Sequence, residues 1–356
     1  MTHITLQTLQ AHAEAGWLRS QRHPSLPLTI WNYSPSCQYQ SHWNEVTLAC
    51  RGLVTDDEGN VVARPVSKFF NFQEPESQAI DFNQPFEVFT KLDGCLAVVF
   101  WYNGQWVFAS RGSFTSEHSE RIAHIFETQH SEAMQFMDRS LTYCFELLDP
   151  EFRIVVDYGS QSRVILLAAF DTQTGDEVFD ICDQLRSLLY VVDRHEGLSG
   201  STMEMLHGLN VQGQEGFVVR FADGSRCKVK FSDYCELHRV ITNLTARTVW
   251  TSLQENQGVL SDAFLGMIPD EYYEWVRALA DSLVSQYQET VYRHTMRVRY
   301  LRQLHSDQRT FAMAVLESEG YVSGWLFSID RGQNISDAVW ASLDPGHVRP
   351  SLGGIR

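Results

Sequence analysis

The chain reads as an α+β protein: antiparallel sheets with flanking helices over residues 1–235, then an all-α domain over residues 236–356. Three observations predict it. Asn103-Gly104 and Asp223-Gly224 each sit between β-branched and aromatic residues, the pattern of tight turns joining antiparallel strands. Strand-like segments follow one another without the strand–helix alternation of a Rossmann domain. Between Pro269 and Leu304 there is no Gly or Pro, and Val276, Leu279, Leu283, Tyr287 and Val291 recur at helical spacing.

In chain order, residues 51–66 predict two strands around the turn-forming Asp57-Glu58-Gly59-Asn60. Residues 95–109 predict the first hairpin. Residues 117–138 predict a helix with Ile122, Ile125, Phe126, Met134 and Met137 on its core face. Residues 141–148 and 163–170 read as strands, and 216–231 as a second hairpin. After residue 235 comes helix: Pro269-Asp270 opens a long one, and another over 308–319 stops at Gly320.

Composition narrows the class. The 356 residues are 44% hydrophobic and 12% aromatic, which fits a folded chain of about two domains. The first residues lack the basic-then-apolar pattern of a signal peptide, and no apolar run is long enough to span a bilayer. Seven scattered cysteines form no CxxC pair, so free thiols in a reducing, cytoplasmic setting are expected. The net charge of −16 argues against a general nucleic-acid surface, so any such surface must be a local basic patch. By charge alone, a small-substrate enzyme is the plainer reading.

The lysines change that reading. Among 28 basic residues only Lys68, Lys91, Lys228 and Lys230 are lysine. Arginine serves wherever a generic charge is needed. A retained lysine marks chemistry a guanidinium cannot do: it can lose its proton and attack, or present a compact charge to phosphate. Lys91 lies in Phe89-Thr90-Lys91-Leu92-Asp93-Gly94, just before the first hairpin, which places it at a strand edge facing a cleft.

That segment resembles the nucleophile motif of the covalent nucleotidyltransferases: ATP-dependent DNA ligases, RNA ligases and capping enzymes. Further segments resemble the superfamily's later motifs, in order. They are Ser110-Arg111-Gly112-Ser113, Tyr143-Cys144-Phe145-Glu146, residues 164–170, Glu215-Gly216-Phe217-Val218-Val219 and Cys227-Lys228-Val229-Lys230. Upstream, Ile30-Trp31-Asn32-Tyr33, Ala49-Cys50-Arg51-Gly52 and residues 64–71, which include Lys68 and Phe70, are similar to the RNA ligases typified by the T-even phage tRNA-repair enzyme. The close resemblance covers residues 30–235.

The resemblance implies that residues 1–235 are an adenylyltransferase domain and that 236–356 are a candidate RNA-specificity module. It implies ATP and Mg²⁺ or Mn²⁺ as cofactors, and catalysis by Lys91, Lys228, Lys230 and Glu215. Asp93, Glu146 and Glu215 would hold the metal. The nucleotide would meet Tyr33, Arg51, Lys68, Phe70, Thr90, Lys91, Leu92, Gly94, Arg111, Glu146, Phe170, Glu215, Val218, Lys228 and Lys230. Each has a plainer alternative: Tyr33 and Phe70 as core aromatics, Arg51 and Lys68 in surface ion pairs, Asp93 and Glu215 as turn residues.

The implied reaction has three steps. Lys91 takes AMP from ATP, AMP passes to an RNA 5′-phosphate, and a 3′-hydroxyl displaces it. A free lysine titrates at about 10.4, and neighbouring positive charge with desolvation disfavours its charged form. The expected partners are RNA ends, tRNA among them, and a separate end-healing kinase/phosphatase. The chain is expected to be a monomer without a membrane partner. A DNA ligase or capping enzyme would share the lysine chemistry, and a catalytically inactive relative could keep the fold to bind RNA. On the long helix, Arg293, Arg297, Arg299 and Arg302 form the best basic cluster outside the site; a solvated helix face is the alternative.

Overall fold

The computed structural model describes residues 4–179, 182–269, 272–319 and 322–345. It divides into two compact units, Met1–Ile241 and Thr242–Arg356. The division falls at the end of the helix Ser232–Ile241, whose Tyr234 and Cys235 belong to a core of the first unit.

Three sheets build the first unit. The first contains β1 (Leu18–Arg22), β2 (Leu28–Tyr33), β3 (Arg51–Asp56) and β4 (Val61–Ala63), antiparallel in that order. A short β5 (Phe70–Asn71) and β6 (Phe86–Lys91) belong to the third sheet. The six-stranded second sheet contains β7 (Cys95–Tyr102), β8 (Gln105–Ser110), β9 (Leu141–Leu148), β10 (Arg163–Asp171), β11 (Glu177–Val178) and β12 (Tyr190–Val191). Its order is β11-β10-β9-β7-β8, with β12 parallel to β10. The third sheet is completed by β13 (Gly216–Phe221) and β14 (Arg226–Lys230), in the order β5-β14-β13-β6. Antiparallel pairing dominates as expected; the exceptions are two-residue strands, with β5 parallel to β14 and β12 parallel to β10.

Alternation along the strands decides the layers. One face of the second sheet, with Val99, Phe145 and Leu166, packs on Ile122 and Phe126 of the helix Glu117–Gln129. The opposite face, with Val98, Phe100 and Cys144, packs on Ile30, Val54 and Ala63 of the first sheet. The helix expected over 117–138 stops at His130, and the core contacts continue through a 3₁₀ turn at Ala133–Gln135. Ala133 and Met137 are still buried there, so the apolar periodicity outruns the helix.

Every element of the second unit among the described residues is helical. The long helix Tyr273–Leu304 packs Val298 and Leu301 against Phe311, Val315 and Leu326. Trp340 is buried, stacks on Tyr287 at 4.8 Å and accepts a hydrogen bond at its carbonyl from Trp250. Asp270 and Gly320, the expected boundary residues, lie outside the described residues. Among the described residues no helix is long and apolar enough to cross a membrane.

Candidate active site

One face of the third sheet carries the chemistry. Antiparallel pairing aligns three rows across β6, β13 and β14: Lys91–Gly216–Lys230, Phe89–Val218–Lys228 and Glu87–Arg220–Arg226. The alternate positions Val88, Phe217, Val219, Cys227 and Val229 point the other way into an apolar core. Alternation within each strand, together with this register, sends Lys91, Lys228 and Lys230 to one side. Gly216 sits between Lys91 and Lys230 with φ +150°, and a Cβ there would lie 2.0 Å from the Val229 carbonyl oxygen. No other residue lets the two lysine-bearing strands approach.

Lys91 closes β6 and is mostly covered, with 18% of its side chain exposed. Its Nζ donates to Glu215 Oε2 at 2.7 Å, while Lys230 Nζ lies 3.6 Å from Glu215 Oε1. Glu215 is buried, and an unpaired carboxylate there would be costly, so the two lysines and the glutamate fix one another. Across the cavity, Glu146 on β9 accepts the Gly94 backbone N–H at 3.2 Å. Burial pushes the Glu146 carboxyl up to about 7, against the opposing influence of Lys91 and Arg51. Gly94 can come this close because it has no side chain; a Cβ would meet the Leu147 carbonyl oxygen at 2.3 Å.

Arg51, Thr90, Lys91, Leu92, Glu146, Val218 and Lys228 line one cavity. Arg51 Nη1 is buried there without a hydrogen-bond partner, and its guanidinium lies 5.8 Å from the Phe69 ring. Lys228 Nζ is 5.4 Å from the same ring. An unpartnered guanidinium nitrogen beside two lysines is a site shaped for an anion. The Thr90 hydroxyl bonds the His195 ring at 2.8 Å.

Several expected residues fall elsewhere. Tyr33, Lys68, Phe70 and Arg111 form a second group that does not line this cavity. Lys68 is buried with its Nζ 5.5, 5.4 and 5.2 Å from the rings of Tyr33, Trp43 and Phe70. Those aromatics enclose the ammonium, each within cation–π range. Arg111 stacks over Tyr33 at 5.4 Å and donates to its hydroxyl at 3.4 Å. Phe170 is buried in the core between the first and second sheets. It lies 5.7 Å from the guanidinium of Arg226, which lines the cavity, while a bulge in β10 between Leu166 and Ala168 puts Leu167 and Ala168 at the cavity wall.

Asp93 is engaged in structural hydrogen bonds. Its Oδ2 accepts the backbone N–H groups of Val155 and Val156, both at 2.8 Å, and its Oδ1 accepts the Tyr234 hydroxyl at 2.7 Å. Its own N–H donates to Tyr158 Oη at 2.8 Å. The buried carboxylate thus ties the Lys91 loop to residues 155–158 and to the helix Ser232–Ile241. Among the described residues no three His, Cys, Asp or Glu side chains converge as a metal cluster.

The far end of the cavity went unread in the sequence. Glu177 on β11 bridges Arg220 at 3.0 Å and Arg226 at 2.6 Å, and Arg220 also pairs with Glu87. The Arg220 guanidinium stacks 5.2 Å from Phe89 and 4.2 Å from Phe179. Period-two alternation of Lys91, Phe89 and Glu87 along β6 was the available signal.

A lysine at a strand end, held by a glutamate inside a cationic cleft between antiparallel sheets, is the arrangement expected of a covalent nucleotidyltransferase. Residues 49–234, just over half of the chain, match the RNA ligase family model. The chain belongs to that family.

Three relatives illustrate the spread. A putative bifunctional polynucleotide kinase/RNA ligase of Autographa californica nuclear polyhedrosis virus is 27% identical over 60% of this chain and 33% of its own length. An RNA ligase of Rhodothermus phage RM378 is 23% identical over 68% of this chain and 70% of that protein. A putative RNA ligase of Thermovibrio ammonificans is 26% identical over 54% of each chain. The chain therefore spans about a third of the baculovirus protein. A solved Naegleria gruberi RNA ligase with ATP and Mn shares 19% identity, covering 46% of this chain and 54% of that one, with a TM-score of 0.39.

Proposed function

We propose that the chain is an ATP-dependent RNA ligase that joins a 5′-phosphate to a 3′-hydroxyl through a covalent Lys91–AMP. The observation that carries this reading is the Lys91–Glu215 contact at 2.7 Å, in the cleft where Arg51 keeps a buried, unpartnered Nη1. The Lys91 Nζ attacks the α-phosphorus of ATP; the new P–N bond forms as the bond to pyrophosphate breaks. Glu215 is the carboxylate placed to take the ammonium proton. Arg51, Lys228 and Lys230 neutralise charge on the phosphates, which matters more in phosphoryl transfer than covalent help. AMP then moves to the RNA 5′-phosphate, and the 3′-hydroxyl attacks that phosphate and releases AMP.

Of the expected metal ligands Asp93, Glu146 and Glu215, we propose Glu146 and Glu215 for the role, with Asp93 serving chiefly to brace the Lys91 loop. A divalent cation, Mg²⁺ or Mn²⁺, would supply further charge neutralisation, held by those two carboxylates together with nucleotide oxygens and water. The base end of the cleft is the apolar wall of Leu167, Ala168 and Val218, floored by Glu177, Arg220 and Arg226.

We infer a role in RNA or tRNA repair alongside an end-healing kinase/phosphatase. The baculovirus relative, whose name joins polynucleotide kinase to RNA ligase, supports that pairing. We further infer a cytoplasmic monomer, which gel filtration and localisation check. Joining assays on single-stranded RNA, nicked duplex and cleaved tRNA, with DNA equivalents, test the reading. Joining of RNA with ATP, abolished by EDTA, is expected. Joining of DNA alone, or transfer of GMP, would return the chain to the DNA-ligase or capping alternatives.

A further inference from the structure

The long helix Tyr273–Leu304 buries one side and presents another. Tyr292, Met296, Tyr300 and Leu304 follow at intervals of four and are 67%, 41%, 51% and 59% exposed. At 3.6 residues per turn, Arg293, Arg297 and Arg299 fall on the same side, within an arc of about 160°. Arg297 lies over the Tyr300 ring at 5.7 Å, Arg299 Nη1 is 4.0 Å from Met296 Sδ, and Arg293 sits 3.6 Å from Glu289. Glu289 is the one acid in residues 285–304, in a chain of net charge −16. Arg302, grouped with these arginines from the sequence, is not part of the face. It pairs with Asp330 at 2.6 Å and stacks on Phe311 at 3.9 Å.

Exposed rings interleaved with arginines suit one kind of ligand. Bases stack on aromatic faces whatever their sequence, while guanidinium groups track the phosphates. The two tyrosines are about 12 Å apart along the axis, so each can take its own base. We propose that this face binds single-stranded RNA, the strand whose ends the ligase reading joins. The choice of RNA rests on that reading; the charge and ring pattern do not.

The test uses the full chain and a labelled, unstructured oligoribonucleotide, with binding read by fluorescence anisotropy across several salt concentrations. Arg293→Gln/Arg297→Gln/Arg299→Gln should weaken binding and flatten the log K against log salt slope by about 2. Tyr292→Ala/Tyr300→Ala should weaken binding by about tenfold per ring while leaving the slope unchanged, and Tyr292→Phe/Tyr300→Phe should restore it. Lys91–AMP formation without RNA should match wild type in all three variants. Unchanged affinity and slope in the first two variants overturn the proposal, as does a wild type that binds no RNA. Tyrosine variants that change sedimentation but not RNA affinity also overturn it, and assign the face to a second copy of the chain. A wild type that binds RNA through this face yet forms no adduct refutes the ligase reading and leaves the surface standing.

Discussion

Asp93→Ala separates the two roles this carboxylate could have. Its oxygens accept two backbone N–H groups and a tyrosine hydroxyl, all at 2.7 to 2.8 Å, at a site only 5% exposed. Truncation leaves those three donors without an acceptor. Each orphaned buried donor costs about 1–3 kcal/mol. Partial relaxation and water entry make the sum less than additive, so about 3–5 kcal/mol is expected. At about 2–4 °C per kcal/mol for a unit of this size, the first unit should melt roughly 6–20 °C lower. Tyr234→Phe removes one donor and leaves the carboxylate two partners, so it should cost only about 1 kcal/mol. Thermal unfolding by circular dichroism, in EDTA and in Mn²⁺, reads both. An Asp93→Ala protein that melts with wild type in EDTA, and differs only in Mn²⁺, would refute this reasoning and restore Asp93 as a metal ligand.

Other outcomes follow from the same geometry. Lys228→Ala, Lys230→Ala and Glu215→Ala should each cut adenylylation by orders of magnitude, measured as transfer of label from ATP. Glu146→Gln should gain stability over wild type as pH rises. The buried carboxyl stays protonated up to about 7 while the unfolded group ionises near 4.3, so wild type loses stability across that window. Chemical denaturation should show the gap widening by up to about 3 kcal/mol between pH 4.5 and 7 and then levelling; a flat difference would contradict the assigned environment. Gly216→Ala should fail to fold or lose both the adduct and the β13–β14 pairing, since its Cβ meets the Val229 carbonyl oxygen.

Much of this site was legible because it is built on local patterns. The Asn-Gly and Asp-Gly turns fixed two hairpins, and alternation along β13 and β14 sent Val218, Lys228 and Lys230 to one face. What stayed hidden depends on distant partners. Nothing near Asp93 announces Tyr234, which lies 141 residues away. The β10 bulge, invisible in the residue pattern, puts both Leu167 and Ala168 at the cavity wall, with Phe170 in the core behind them, 5.7 Å from the Arg226 guanidinium. Lys68 reads as a phosphate contact, and nothing in its own segment announces Trp43, whose ring lies 5.4 Å from its ammonium. Glu177, Arg220 and Arg226 look like ordinary charges until three strands bring them together.

The most direct test is the covalent adduct itself. Purified protein incubated with ATP and Mn²⁺ without RNA, then digested and mapped by tandem mass spectrometry, should carry AMP on the peptide containing Lys91 and on no other lysine. Lys91→Ala and Lys91→Arg should each yield none while still unfolding cooperatively, since a guanidinium does not deprotonate to attack; Lys91→Ala should also melt below wild type, because it strips buried Glu215 of its 2.7 Å partner. An adduct on Lys68, Lys228 or Lys230, or one that survives either substitution, would contradict the account.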